Sequence, residues 1–286
     1  MADLKGIRKE IFLTAYSAYN AHIASAFSLV EIMTALYGNN LIDEPILRVD
    51  PANPSMRERD RLILSKGHGS LALYVALKNR GFITQDELGS FIKPGSFLGG
   101  EPRFGDIPGV EATTGSLGHG LSIGLGMALG NKKLGIDATT YIIVGDGELE
   151  EGSNWEAIMS AAHFELNNLT VILDANGIQK MGPVMDTMSI NDWGSRFESF
   201  GWRTVHIKNG NDLDEVYEVL KNEKCESRKE NRPTLVVAHT VKGYGVSIVE
   251  NNPNWHFKLP TKRELKVFME ELNITEEEVE ACRRHI

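Results

Sequence analysis

Cysteine is nearly absent: Cys225 and Cys282 are the only two in 286 residues, and neither sits in a Cys-x-x-Cys pair or a Cys/His cluster. That scarcity argues against a disulfide framework and a thiolate-bound zinc, and fits a reducing, cytoplasmic setting. Basic charge is also short, with 30 Lys and Arg against 39 Asp and Glu and a net charge of −9. Without a basic field, nucleic acid is not an expected partner. No stretch reaches the roughly 18 apolar residues that a bilayer span requires, so no membrane association is expected. The first twenty residues carry Glu10 and lack a long apolar core with a small-residue cleavage site, which reads as an amphipathic helix rather than a signal peptide. Proline-rich, glycine-serine and single-sign charge tracts are missing, as are internal repeats, so the whole chain is expected to be ordered.

What is present is a rhythm of short apolar strands and helices. Helical spacing of apolar residues marks 3–20, 28–38 and 69–80, and RLIL at 61–64 is the first strand. A glycine- and proline-containing loop from Lys93 to Gly115 is longer than ordinary connections and is therefore suspect as functional. From residue 139 strands at 140–144, 169–174, 202–207 and 234–239 alternate with helices at 153–166, 191–200 and 212–223. Apolar strands separated by helices imply a doubly wound α/β fold with a mostly parallel sheet covered on both faces. Thr261 and Thr275 start two closing helices, so residues 1–286 read as a single domain. Ligands in such sheets lie beyond the strands' carboxyl ends, so the loops after Val144, Asp174 and His239 should border one site.

Two of those loops carry chemistry. Gly145-Asp146-Gly147 lets backbone approach phosphate oxygens while a carboxylate faces a cation. Asn176-Gly177-Ile178, about thirty positions on, presents an amide oxygen and main-chain carbonyls. With phosphate oxygens and water, Asp146, Asn176 and the carbonyl of Ile178 would complete the hard six-oxygen shell preferred by Mg²⁺, with Ca²⁺ or Mn²⁺ as substitutes. Each dipeptide singly also suits an ordinary tight turn. The glycines at 118, 120 and 124 invite a dinucleotide reading, but the preceding VEATTGS is a poor strand. Those glycines, with Gly126 and Gly130, instead fit a small-residue helix face packed against another helix.

Taken together, LSKGHGS (64–70), PGVEATTGSLGHGL (108–121), GDGELEEGSNWEA (145–157), the Asn176 loop and NPNWH (252–256) resemble the amino-terminal, diphosphate-binding part of transketolases. The resemblance implies thiamine diphosphate as cofactor. It places His68, Gly115, Ser116, Leu117, Gly145, Asp146, Gly147, Glu148, Asn176, Ile178, Lys242 and His256 around that cofactor. It casts His22, His68 and His256 as hydrogen-bond donors or proton relays, and Glu151 in a hydrogen-bond path between paired active sites. His119 stands where relatives carry glutamine or histidine, while His163 reads as structural.

Transketolases are over twice this length and carry a second, pyrimidine-binding domain with an activating glutamate. The resemblance therefore implies a second chain as partner, an α₂β₂ assembly, and sugar or sugar-phosphate substrates, with the helix at 117–130 as a candidate contact surface. Two departures bear on the donor. Gly100-Glu101-Pro102 stands where Gly-His-Pro is usual, and Ala21, Ala24 and Ala26 replace frequent glycines near His22. Alternatives within the same cofactor class are a 2-oxo acid donor such as pyruvate, or a deoxyxylulose-phosphate-synthase-like reaction. A non-catalytic subunit that keeps the fold is the remaining reading.

Overall fold

Five apolar segments pair in parallel. They are β1 (Arg61–Leu64), β2 (Thr140–Gly145), β3 (Leu169–Ala175), β6 (Arg203–Ile207) and β7 (Thr234–His239), and a short hairpin of β4 (Ile178–Gln179) and β5 (Gly182–Pro183) stands apart. The computed structural model describes residues 3–284 except residues 21, 189 and 191. Sheet order is β1-β2-β3-β7-β6, every neighbour parallel, so all five strands deliver their carboxyl ends to one edge.

Alternation along the strands divides the interior into two cores. Leu62, Leu64, Tyr141, Ile143, Ile172 and Val236 face a core shared with helices Leu4–Ser17, Val30–Tyr37, Ser70–Arg80 and Lys262–Glu271. Ile63, Ile142, Val144, Val171, Leu173 and Val237 face the other, against helices Gly120–Lys133, Gly152–His163 and Trp193–Ser199. The result is the α/β/α layering expected of a doubly wound sheet, since strands buried on both faces must be apolar throughout.

Several boundaries differ from the sequence reading. The first helix stops at Ser17 because Tyr19 turns into the left-handed region at φ 51°, and His22 begins a separate helix, Ile23–Phe27, instead of ending the first. The expected 28–38 and 153–166 helices are Val30–Tyr37 and Gly152–His163, the latter closed by Glu165 at φ 50°. The helix placed at 191–200 is Trp193–Ser199, and residue 191 lies outside the described residues. Helix 212–223 extends as Leu213–Glu226, capped by Asp212. Thr261 and Thr275 do cap, each exchanging bonds with a glutamate three residues on.

The glycine helix also packs differently. A Cβ on Gly120 would overlap the Ser65 side chain, and one on Gly124 would overlap Ile142 Cδ1, so both press the helix onto β1 and β2 rather than onto another helix. Gly126 and Gly130 face open space.

Candidate functional site

The carboxyl ends of β1, β2, β3 and β7 converge on a cavity of about 260 Å³. Lys66 and His68 enter it from the turn after β1, Gly145 to Glu148 from the end of β2, Asn176 and Ile178 from beyond β3, and Lys242 from beyond β7. His22 comes from the start of Ile23–Phe27, His256 from the turn Pro253–Trp255, and Glu101, Gly115 and Leu117 from the long loop. The loops after Val144, Asp174 and His239 thus border one site. A larger groove of about 650 Å³ lies between the two carboxy-terminal helices, lined by Lys262, Met269, Glu276 and their neighbours, away from these loops.

Asp174 is the hub behind the cavity floor. Fully buried, it accepts hydrogen bonds from Lys66 Nζ and Thr240 Oγ1, from Ser28 Oγ at 2.8 Å and from Asn176 Nδ2 at 3.1 Å. Burial works to raise its pKa, but the Lys66 ammonium and the hydroxyl donors outweigh it and hold the carboxyl below its usual range. One residue thereby ties the loops after β1, β3 and β7 to Ser28, which closes the helix Ile23–Phe27.

Asp146 meets the opposite balance. Burial and the neighbouring Asp174 charge raise its pKa against the pull of Gly177 and Gly147 amides and Lys66. Its Oδ1 accepts from Gly147 N at 2.8 Å and its Oδ2 from Gly177 N at 2.5 Å, which locks the β2 loop to the Asn176 loop. Glu148, 3% exposed, accepts from Ser65 Oγ, Gly118 N and Gly145 N, so its carboxylate is fully engaged in joining three loops.

Three histidines form a triangle at the mouth, with ring centroids 5.6 Å apart for His22 and His68, 5.8 Å for His22 and His256, and 5.5 Å for His68 and His256. Burial, then the charges of nearby lysines, lowers all three, neighbouring imidazoles add to this for His68 and His256, and His256 falls to about 4. They are therefore neutral at pH 7, each with one N–H to donate. Lys242 Nζ donates to the Ile178 carbonyl at 2.7 Å and lies 3.2 Å from His256 Nδ1. Burial and Lys66 lower its pKa to about 8.

Ser116 and Glu151 stand apart from this cluster. Ser116 is exposed beside the cavity wall, and Glu151, exposed at the start of Gly152–His163, packs its Cβ near Gly118. His119 is exposed before Gly120–Lys133, and His163 is exposed against Phe164 instead of filling an interior place. Sequence reasoning passed over Lys66 and Asp174 as site residues. Lys66 stood inside the LSKGHGS motif and Asp174 closed its strand, but a buried ion pair between residues 108 positions apart leaves no local pattern. Gln179 and Lys180 also line the cavity from the hairpin, which was too short to announce itself.

The donors present suit a cation-held diphosphate. Asp146, 4% exposed and destabilised as an anion, has no ion-pair partner among the described residues, so a divalent cation would supply the charge that its environment lacks. Asn176 Oδ1 and the Ile178 carbonyl add hard oxygens of the kind that Mg²⁺ prefers. Among the described residues no three His, Cys, Asp or Glu side chains cluster as a metal site. Lys66, Lys180, Lys242 and the imidazole N–H groups supply the positive lining for an anion.

A family model described as transketolase, thiamine diphosphate binding domain, matches residues 12–278. The chain is 37% identical over 276 residues to an apulose-4-phosphate transketolase subunit of Phocaeicola vulgatus, covering 96% of this chain and 93% of that one. It is 34% identical to the 6-deoxy-6-sulfo-D-fructose transketolase subunit SqwG of a Clostridium species, covering 88% of both. Against the transketolase of Aquifex aeolicus, 36% identity covers 86% of this chain and 37% of that protein. The solved transketolase of Campylobacter jejuni matches with a TM-score of 0.82 and 27% identity over 98% of this chain and 45% of its own. The chain thus spans less than half the length of the solved transketolases that it matches.

Proposed function

The chain belongs to the transketolase family, and from its site we propose that it holds thiamine diphosphate through Mg²⁺ as one of the two chains of a split transketolase. The assembled enzyme transfers a two-carbon ketol unit from a ketose donor to an aldose acceptor. The observation that supports this most directly is the meeting of Asp146, Asn176, the Ile178 carbonyl and three histidines in one cavity at the sheet's carboxyl edge.

In this reading Asp146, Asn176 and the Ile178 carbonyl hold the cation. Lys242, His68 and His256 donate to the diphosphate, and Gly115, Ser116, Leu117, Gly145 and Gly147 lie against the cofactor, with Glu148 fixing their loops. The bound cofactor supplies the electron sink that lets a carbon–carbon bond beside a ketone break. His22, facing the same space, moves or holds a proton at a substrate oxygen. Glu151 joins a hydrogen-bond path toward a second active site. A partner chain supplies the pyrimidine-binding domain and its activating glutamate in an α₂β₂ assembly. Two similar chains are themselves named as transketolase subunits, which supports that division, and their apulose-4-phosphate suggests sugar-phosphate substrates. Among the described residues no helix is long and apolar enough to cross a membrane, and we place the enzyme in the cytoplasm.

Calorimetric titration of the chain with its partner tests the cofactor half of this reading. Thiamine diphosphate should bind saturably with Mg²⁺ and lose that binding in chelator. Undiminished affinity in chelator would remove the metal from Asp146.

A further inference from the structure

Lys180 is the cavity cation that the proposed function leaves unused. Of the three lysines lining the cavity, Lys66 is paired with Asp174, and Lys242 is held by the Ile178 carbonyl and His256. Lys180 makes no hydrogen bond or ion pair among the described residues. It stands exposed at the tip of the β4–β5 hairpin, where the register Gln179↔Gly182 leaves only Lys180 and Met181 in the turn. That hairpin is fixed from three sides. Lys242 Nζ donates to the Ile178 carbonyl at 2.7 Å, Gln179 Nε2 donates to Glu150 Oε1 at 2.9 Å, and Val184 N donates to the Gly177 carbonyl at 2.9 Å. A Cβ on Gly147 would come within 3.0 Å of Gln179 Cβ, so the β2 loop lies directly against the hairpin. An otherwise solvent-facing lysine is thereby carried to the rim of the cavity, on the side where its charge reaches His22 and His256.

We propose that Lys180 binds the terminal phosphate of a sugar-phosphate donor, so that this chain, and not its partner alone, reads the charged end of the sugar. This rests on the ketol-transfer reading above and deepens it. The diphosphate site proposed above takes the floor of a cavity of only about 260 Å³, so a sugar whose carbonyl enters beside His22 must trail its chain out past the rim. Its phosphate then leaves the cavity where an uncommitted ammonium stands. Lysine suits that place, because three donors on a flexible stem meet phosphate oxygens without demanding one fixed geometry. At an exposed rim the attraction is screened by salt, which gives the contact a signature that a purely structural role lacks.

The test uses the complex reconstituted with its partner, thiamine diphosphate and Mg²⁺. D-xylulose 5-phosphate and D-xylulose serve as donors that differ only in the phosphate, and uncharged glycolaldehyde serves as acceptor. The preference for the phosphorylated donor, taken as the ratio of the two kcat/KM values, should fall about tenfold in Lys180→Gln, mainly through a higher KM. Lys180→Arg keeps the charge and should hold the preference within about threefold of the wild type. Raising salt from about 0.05 to about 0.5 M should shrink the wild-type preference more than that of Lys180→Gln. Calorimetric affinity for thiamine diphosphate should match the wild type, which also shows that the variant is folded. An unchanged preference, equal losses with both donors, or weakened cofactor binding would overturn the phosphate role while the proposed function stands. A wild-type complex that transfers ketol units from neither donor would overturn both.

Discussion

At the scale of single residues the site is built from groups held in uncomfortable ionisation states. His22, His68 and His256 are neutral in the folded chain because burial and nearby lysines oppose protonation, whereas in the unfolded chain they titrate near their ordinary 6.5. Folded-state values depressed in this way mean that stability is full above about pH 6.5 and is lost as pH falls through that value, until the folded-state groups also protonate, near pH 4 for His256. The melting temperature of the cofactor-free chain should therefore drop between pH 7 and pH 5, and His256→Gln should flatten that slope. An unchanged slope would mean that His256 is not held neutral. The Lys66–Asp174 pair makes a second prediction. Lys66→Ala leaves a carboxylate in the interior and should cost about 3 kcal/mol by urea unfolding, at the low end for a buried pair because Ser28, Thr240 and Asn176 still bond to Asp174. Asp146 and Asn176 were legible in the sequence because each directly follows a strand. Asp174 was not, since Ser28, Lys66 and Thr240 reach it from three distant segments that only the fold brings together.

At the scale of elements, parallel strands set the site's position and one helix sets how closely the sheet can be approached. Strand identity was legible from uninterrupted apolar runs, and the carboxyl-edge rule placed the loops from sequence alone. Helix ends were less so: Tyr19 and Glu165 adopt left-handed backbone, which no periodicity announces. The helix Gln85–Gly89 was missed although Thr84 and Glu87 form its capping box, because five residues are too few to show a period. In Gly120–Lys133 the two sets of glycines should respond oppositely. Gly124→Ala drives a methyl into Ile142 and should cost about 1–3 kcal/mol. Gly126→Ala, whose Cβ enters open space, should gain about 1 kcal/mol from helix propensity alone. Paired urea melts of the isolated chain would show both, and destabilisation by Gly126→Ala would contradict the open face.

At the scale of the whole molecule, the three layers bring Asp146, Asn176, Lys242 and three histidines to one cavity, yet the chain spans 45% of a solved transketolase and 37% of a curated one. It spans 93% of a relative that is itself named as one subunit of a transketolase. That contrast is what makes division between two chains the central claim. The most direct test is ketol transfer from D-xylulose 5-phosphate to an aldose, assayed with thiamine diphosphate and Mg²⁺ for this chain alone, for a candidate partner carrying the pyrimidine-binding domain, and for their mixture. The account predicts no turnover by either chain and turnover by the mixture that disappears with Asp146→Ala. Full turnover by this chain alone, or turnover by the mixture that survives Asp146→Ala, would contradict it.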